Sequence, residues 1–144
     1  MNALIHTHSG LRWVVLLLLL VAIGRAITRK SGGVYEKSDK MINLFTMISL
    51  HIQLLLGLIL YFTSPKVAFV EGWMKVSQLR FYGMEHIAVM VIAIAVITIG
   101  RKKAEKAANP ALKHQKIAVW YTIGLLLILA SIPWPFRNLG AGWF

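Results

Sequence analysis

The sequence predicts an all-α integral membrane protein, a four-helix transmembrane bundle of up-down-up-down connectivity forming a single domain over residues 1–144. Three observations predict it. Four apolar runs, at about residues 5–27, 41–63, 81–100 and 117–136, each approach the ~20 residues that a helix needs to cross a ~30 Å hydrocarbon layer. With 58% hydrophobic and 15% charged residues and a mean hydropathy of +0.67, the chain is too apolar for an ordinary soluble domain. The basic residues gather between the runs: 11 of the 16 Lys and Arg fall in two blocks, Arg25 to Lys40 and Arg101 to Lys116.

In the first run the positive charges follow the apolar stretch, and no small-residue cleavage site is evident. It is therefore expected to stay in the mature chain as helix one. "RKSGGVYEKSDK" then has the Gly and Ser of a turn, and Ser38 and Asp39 are candidate N-caps for helix two. "TSPKVAFVEGWMKVSQLR" is the longest connection, and its apolar residues around Trp73 predict a short helix lying along the membrane surface. "RKKAEKAANPALKHQK" places Asn109 before Pro110, a start signal for helix four because proline tolerates the first helical position. The two prolines of "IPWPF" end that helix.

The charge pattern sets the expected orientation. Loops rich in Lys and Arg stay cytoplasmic, so the two basic blocks should be inside and both termini outside. Trp13, Trp73, Trp134 and Trp143 fall near the outer boundaries, as an aromatic belt would. The net charge of +11 suits the anionic inner leaflet. Nucleic acid is not an expected partner, because the basic residues lack the interleaved aromatics of a stacking platform. Cysteine is absent, which removes disulfides, thiolate metal sites and the C-x-x-C-H attachment of a c-type haem.

Ionisable groups inside apolar spans are costly and normally face a bundle interior, where a partner or cofactor satisfies them. Five histidines are present: His6, His8, His51, His86 and His114. His8 stands 17 residues before Arg25 and His86 stands 15 before Arg101, so at ~1.5 Å per residue they reach the same depth near the outer face. Helices one and three run in the same direction and would be diagonal, the geometry for two imidazoles gripping a flat cofactor from both sides. His6 lies about 200° around the helix from His8 and is expected at the outer surface. Haem b is the cofactor this arrangement favours: imidazole is its axial ligand, a bundle interior suits its porphyrin, and its propionates want cations. Arg12, one turn from His8, and Arg80, ahead of His86, are the candidate propionate partners.

His51 and His114 form a second diagonal pair with a poorer match in depth, an offset of ~7 Å by rise alone. They would hold a second haem, or His51 would pair with His86, or both would make structural hydrogen bonds, with His114 solvated at the interface; His51 is expected to face the bundle interior, as a ligand if two haems are present and as a neighbour of the haem if there is one. Gln53 and Gly57 sit one turn apart on another face of helix two, and glycine there would let a ring or a helix backbone approach closely.

Together "HTHSGLRWVVLLLLL", "HIQLLLGLILYF", "MEHIAVMVIAIAV" and "HQKIAVWYTIGLLLILASIPW" resemble the small four-helix cytochrome b-type membrane proteins of bacteria over nearly the whole chain. "HIQLLLGL" and "EHIAVM" are similar, more distantly, to the histidine-bearing helices of one half of haem A synthase. The resemblance implies a multi-pass protein of the bacterial inner membrane with bis-histidine haem b, and His8, His51, His86 and His114 match the histidine-bearing positions. The chain departs from haem A synthase in being only half its length, so the resemblance does not by itself imply the synthase activity.

The expected function is that of a b-type cytochrome with one or two haems. It would pass electrons in or beside a respiratory chain, with a quinone or a larger respiratory complex as partner. With no extramembrane domain large enough for catalysis, an electron carrier or subunit fits better than a stand-alone enzyme. The alternatives are a haem-handling or oxidase-assembly factor, and a cofactor-free subunit of a larger membrane complex.

Overall fold

The computed structural model describes residues 2–144, whose regular elements are all helices with no strand among them. Four helices are long and apolar enough to cross a membrane: α1 Asn2–Arg29, α2 Lys37–Thr63, α3 Ser77–Glu105 and α4 Pro110–Ser131. Each packs on its neighbour in sequence and α4 closes on α1, so α1 and α3 stand on one diagonal and α2 and α4 on the other. Exposed Leu17, Leu55, Phe62 and Leu126 face outward, as contact with a bilayer would require. The core runs along the bundle axis through Leu19, Ile97, Ile117 and Tyr121.

The helices extend past the apolar runs because long basic side chains at their ends keep their charge in a polar layer while their stems lie on the helix. α4 is the exception. It begins at Pro110 and stops at Ser131, since Pro133 and Pro135 cannot donate to the helical ladder. Its cap is the one the sequence implies, with Asn109 Oδ1 accepting from Leu112 N at 2.9 Å. α2 differs: its N-cap is Glu36, not Ser38 or Asp39, and Asp39 reaches back to accept from the Glu36 N–H at 3.0 Å. The surface helix expected around Trp73 is only a three-residue 3₁₀ turn, Trp73–Lys75, because Pro65 and the left-handed Gly72 (φ 75°) break the segment.

The bundle has two chemically distinct ends. At the basic end, buried Asp39 takes Arg25 at 2.8 Å and Arg29 at 3.1 Å, which ties the end of α1 to the start of α2. Arg29 beside Glu36 holds that carboxyl below the usual carboxylate range. Tyr35 donates to Glu105 at 3.1 Å, and burial pushes its phenol up to about 12, so it remains a neutral donor at physiological pH. Trp13, Trp134 and Trp143 mark the opposite, aromatic end with ring centroids 6.1 to 6.4 Å apart.

α3 and α4 make the closest helix pair. A Cβ on Gly100 would lie 2.1 Å from Trp120 Cβ, and one on Gly124 would lie 2.3 Å from Ile97 Cγ1. These glycines let the two backbones approach, as small residues do between apolar helices. The seam also sets the position of one histidine, because α3 carries His86 and α4 supplies that residue's hydrogen-bond partner.

Candidate functional site

A cavity of about 300 Å³ occupies the aromatic half of the bundle, at the low end of the ~300–1,000 Å³ usual for small-molecule sites. Leu50, Leu54, Met90, Ile94, Ile128 and Ile132 make much of its apolar wall. Two of the five histidines line it, His8 from α1 and His86 from α3. Their rings face each other across the diagonal, with centroids 6.5 Å apart and planes at 77°. Two imidazoles on opposite sides of one metal, each with a metal–nitrogen bond of about 2.0–2.1 Å, place their centroids roughly 6 Å apart.

The hydrogen-bond inventory of the rings sorts the histidines. His86 Nδ1–H donates to the Ser131 carbonyl at 2.8 Å, which leaves Nε2 as the free lone pair. This is the outer-shell bond that orients a metal-ligating imidazole and raises its basicity. His8 Nδ1 is buried with no partner among the described residues. In His51 and His114 it is Nε2 that is committed. Thr98 Oγ1 gives its own proton to Ile94 O, so His51 Nε2–H donates to Thr98 at 3.1 Å. His114 Nε2–H donates to the Val34 carbonyl at 2.8 Å, fully buried at the basic end. Neither lines the cavity. His51 bonds Thr98 rather than His86, and His114 is buried rather than at a solvated interface.

Local sequence explains how the pair is held. The Ser131 carbonyl would normally accept from the N–H four residues on, but residue 135 is proline and has none. The Leu129 carbonyl is freed by Pro133 in the same way and accepts from Trp134 Nε1 at 2.9 Å. The "IPWPF" stretch therefore ends α4 and also delivers the acceptor for His86, a signal present in the sequence but missed when the prolines are read only as a stop. On α3, Phe81–Glu85 winds as one π turn immediately before His86, where Tyr61 donates to the Gly83 carbonyl at 2.9 Å and Phe81 lies 5.6 Å from the His86 ring. Single π turns of this kind recur at functional sites. On α2, Gln53 Nε2 donates to the His8 carbonyl at 2.8 Å, and Gly57 faces the His8 ring.

A Cβ at Gly57 would lie 3.2 Å from His8 Cε1, tighter than ordinary van der Waals contact. Gly57→Ala is expected to turn the His8 ring while leaving the bundle folded. The His8 imidazole signals in a proton–nitrogen NMR spectrum of the protein should shift, and a spectrum identical to wild type would refute this role for Gly57.

Of the two cations expected near the cofactor, Arg12 lines the cavity. Arg80 does not: its Nε pairs with Glu85 at 2.7 Å and its Nη1 donates to Met74 O at 3.0 Å. Lys66, just past Pro65 at the end of α2, is the second cation of the cavity, with Nζ 5.3 Å from the Tyr82 ring. Nothing in the linear sequence ranked Lys66 above Arg80.

No cluster of three or more His, Cys, Asp or Glu exists among the described residues, so side chains alone do not build a multi-ligand metal site. A macrocycle that brings four ligands of its own needs only two imidazoles. The residues fit such a group: two facing imidazoles, an apolar wall, and cations at one end. Comparison of the chain with family models, with curated proteins and with solved structures finds no match.

Proposed function

We propose that this chain is a membrane b-type cytochrome of the bacterial inner membrane, holding one haem b between His8 and His86 and passing electrons to and from a quinone or a larger respiratory complex. The observation that carries this reading is the facing pair at 6.5 Å, with His86 Nδ1 committed to Ser131 and its Nε2 free. The basic end lies in the cytoplasm and both termini lie outside, as the positive loops require. This sets the cavity near the outer face.

His8 and His86 would hold the iron, and Arg12 and Lys66 would meet the propionates. When bound, the haem supplies one-electron chemistry at a potential tuned by axial ligation and burial. The chain's own part is orientation and exclusion. The Ser131 carbonyl fixes the His86 tautomer, and the wall from Leu50 to Ile132 keeps the environment apolar. The Gln53 bond to the His8 carbonyl anchors α1 against α2 at the level of the ligand.

A dithionite-reduced minus oxidised visible spectrum of the purified protein, with a pyridine haemochrome assay, tests the reading. The expected result is a sharp α-band and one haem b per chain. Colourless protein after expression with added haem would remove the reading, and two haems per chain would remove the single-site form of it.

A further inference from the structure

The segment that follows α4 crosses the aromatic end of the bundle. After the turn at Pro135–Arg137, Asn138 and Gly140 adopt left-handed φ values of 54° and 70°. The reversal lays Gly140, Ala141, Gly142 and Phe144 against the cavity. Among the described residues, no backbone N–H after Asn138 donates to a backbone carbonyl. Side chains from elsewhere hold the segment instead. Arg12 Nη2 and Trp13 Nε1 both donate to the Trp143 carbonyl, at 2.6 and 3.0 Å. Lys66 Nζ donates to the Gly140 carbonyl, and the Trp143 ring stacks on Trp13 at 6.4 Å. A segment held by these side-chain bonds and by buried Leu139, with no backbone ladder, opens at a free energy well below that of the packed helices.

The same two cations line the cavity. Arg12 is only 9% exposed, and its Nε lacks a partner among the described residues, so the guanidinium has a buried donor to spare. We propose that Asn138–Phe144 is a strap that gates the cavity mouth, clasped by Arg12 and Lys66, which share their donors between the strap carbonyls and the carboxylates of an amphiphile in the cavity. The proposal rests on the haem reading for the identity of that amphiphile, an apolar macrocycle with two propionates. A backbone carbonyl gives each cation a bond with one charged partner, whereas a carboxylate adds the opposite charge and can take a guanidinium through two parallel bonds, so the carboxylates compete well for the cations. The remaining donors of the guanidinium and ammonium keep the strap closed over them.

The chain has no cysteine, so Ala141→Cys supplies a single reporter. In lipid nanodiscs, maleimide labelling of that variant is expected to accelerate about tenfold when Trp143→Ala or Lys66→Met is added, the scale of one lost charge-assisted bond or anchor. Unchanged rates would overturn the strap. Transfer of haem to excess apomyoglobin is expected to speed up by a similar factor in Trp143→Ala, with the α-band in place, and a transfer rate equal to wild type would overturn the gate. Wild type loaded with haem dimethyl ester should lose it faster than haem, and Lys66→Met should narrow that difference; an ester held as long as haem would refute the shared clasp. Colourless protein whose labelling still responds to Trp143 and Lys66 would remove the haem reading and leave the strap standing.

Discussion

His86→Ala is expected to abolish stable haem binding, and His8→Ala to do the same or leave a weakly held five-coordinate haem, while His51→Ala and His114→Ala keep the α-band and the stoichiometry. The expectation follows from which nitrogen is engaged. His86 gives Nδ1 to Ser131 at 2.8 Å and keeps Nε2 for the cavity, whereas His51 and His114 spend Nε2 on Thr98 and Val34. In the proposed haem site, loss of either imidazole would remove a bond to the iron, and Met90 and Tyr82, which also line the cavity, would be weaker ligands. His114→Ala should still lower stability by about 0.5–1.5 kcal/mol, because it removes the bond that the buried imidazole donates to the Val34 carbonyl. Thermal unfolding would report that loss without any change in the visible spectrum. Addition of imidazole to His8→Ala should restore the six-coordinate band. Bleaching by His51→Ala or His114→Ala, with His8→Ala spectrally normal, would overturn the assignment of the pair.

The second large effect is expected at the α3–α4 seam, where alanine substitutions should lower stability, in contrast to one on α1 that should raise it. Gly100→Ala puts a methyl 2.1 Å from Trp120 Cβ, an atom that moves only with its backbone, so the helices must part. Overpacking of this kind costs about 1–3 kcal/mol, and the displacement of α3 should also weaken haem retention by pulling His86 from Ser131. Gly124→Ala meets Ile97 at 2.3 Å and should act in the same sense. Gly24→Ala on α1 meets nothing within 4 Å and should stabilise by up to ~1 kcal/mol through helix propensity. Denaturant titrations in one detergent would rank the variants, and Gly100→Ala as stable as Gly24→Ala would refute the close-packed seam.

Much of the candidate site was legible in residue order alone. The depths of His8 and His86 followed from counting residues to Arg25 and Arg101, since a helix rises a fixed distance per residue. That they share a cavity agrees with the counting. Gly57 was readable as a position where a ring or a helix backbone could come near, and it is the His8 ring that does. Lys66 and Arg80 were not separable in this way. Both sit near the aromatic end, and what distinguishes them is that Glu85 and Met74 take the donors of Arg80 while Lys66 turns to the cavity.

Four apolar helices, their antiparallel order and the depth of each histidine are properties of residue order, because hydropathy and helical rise are local along the chain. Which histidines keep a nitrogen free is not such a property. His86 depends on the Ser131 carbonyl, 45 positions after it along the chain and released by Pro135, and His114 on a loop carbonyl 80 positions before it. Donor and acceptor pairing in a buried bundle is settled by the side chain that packing brings within about 3 Å, and only the assembled tertiary structure decides that.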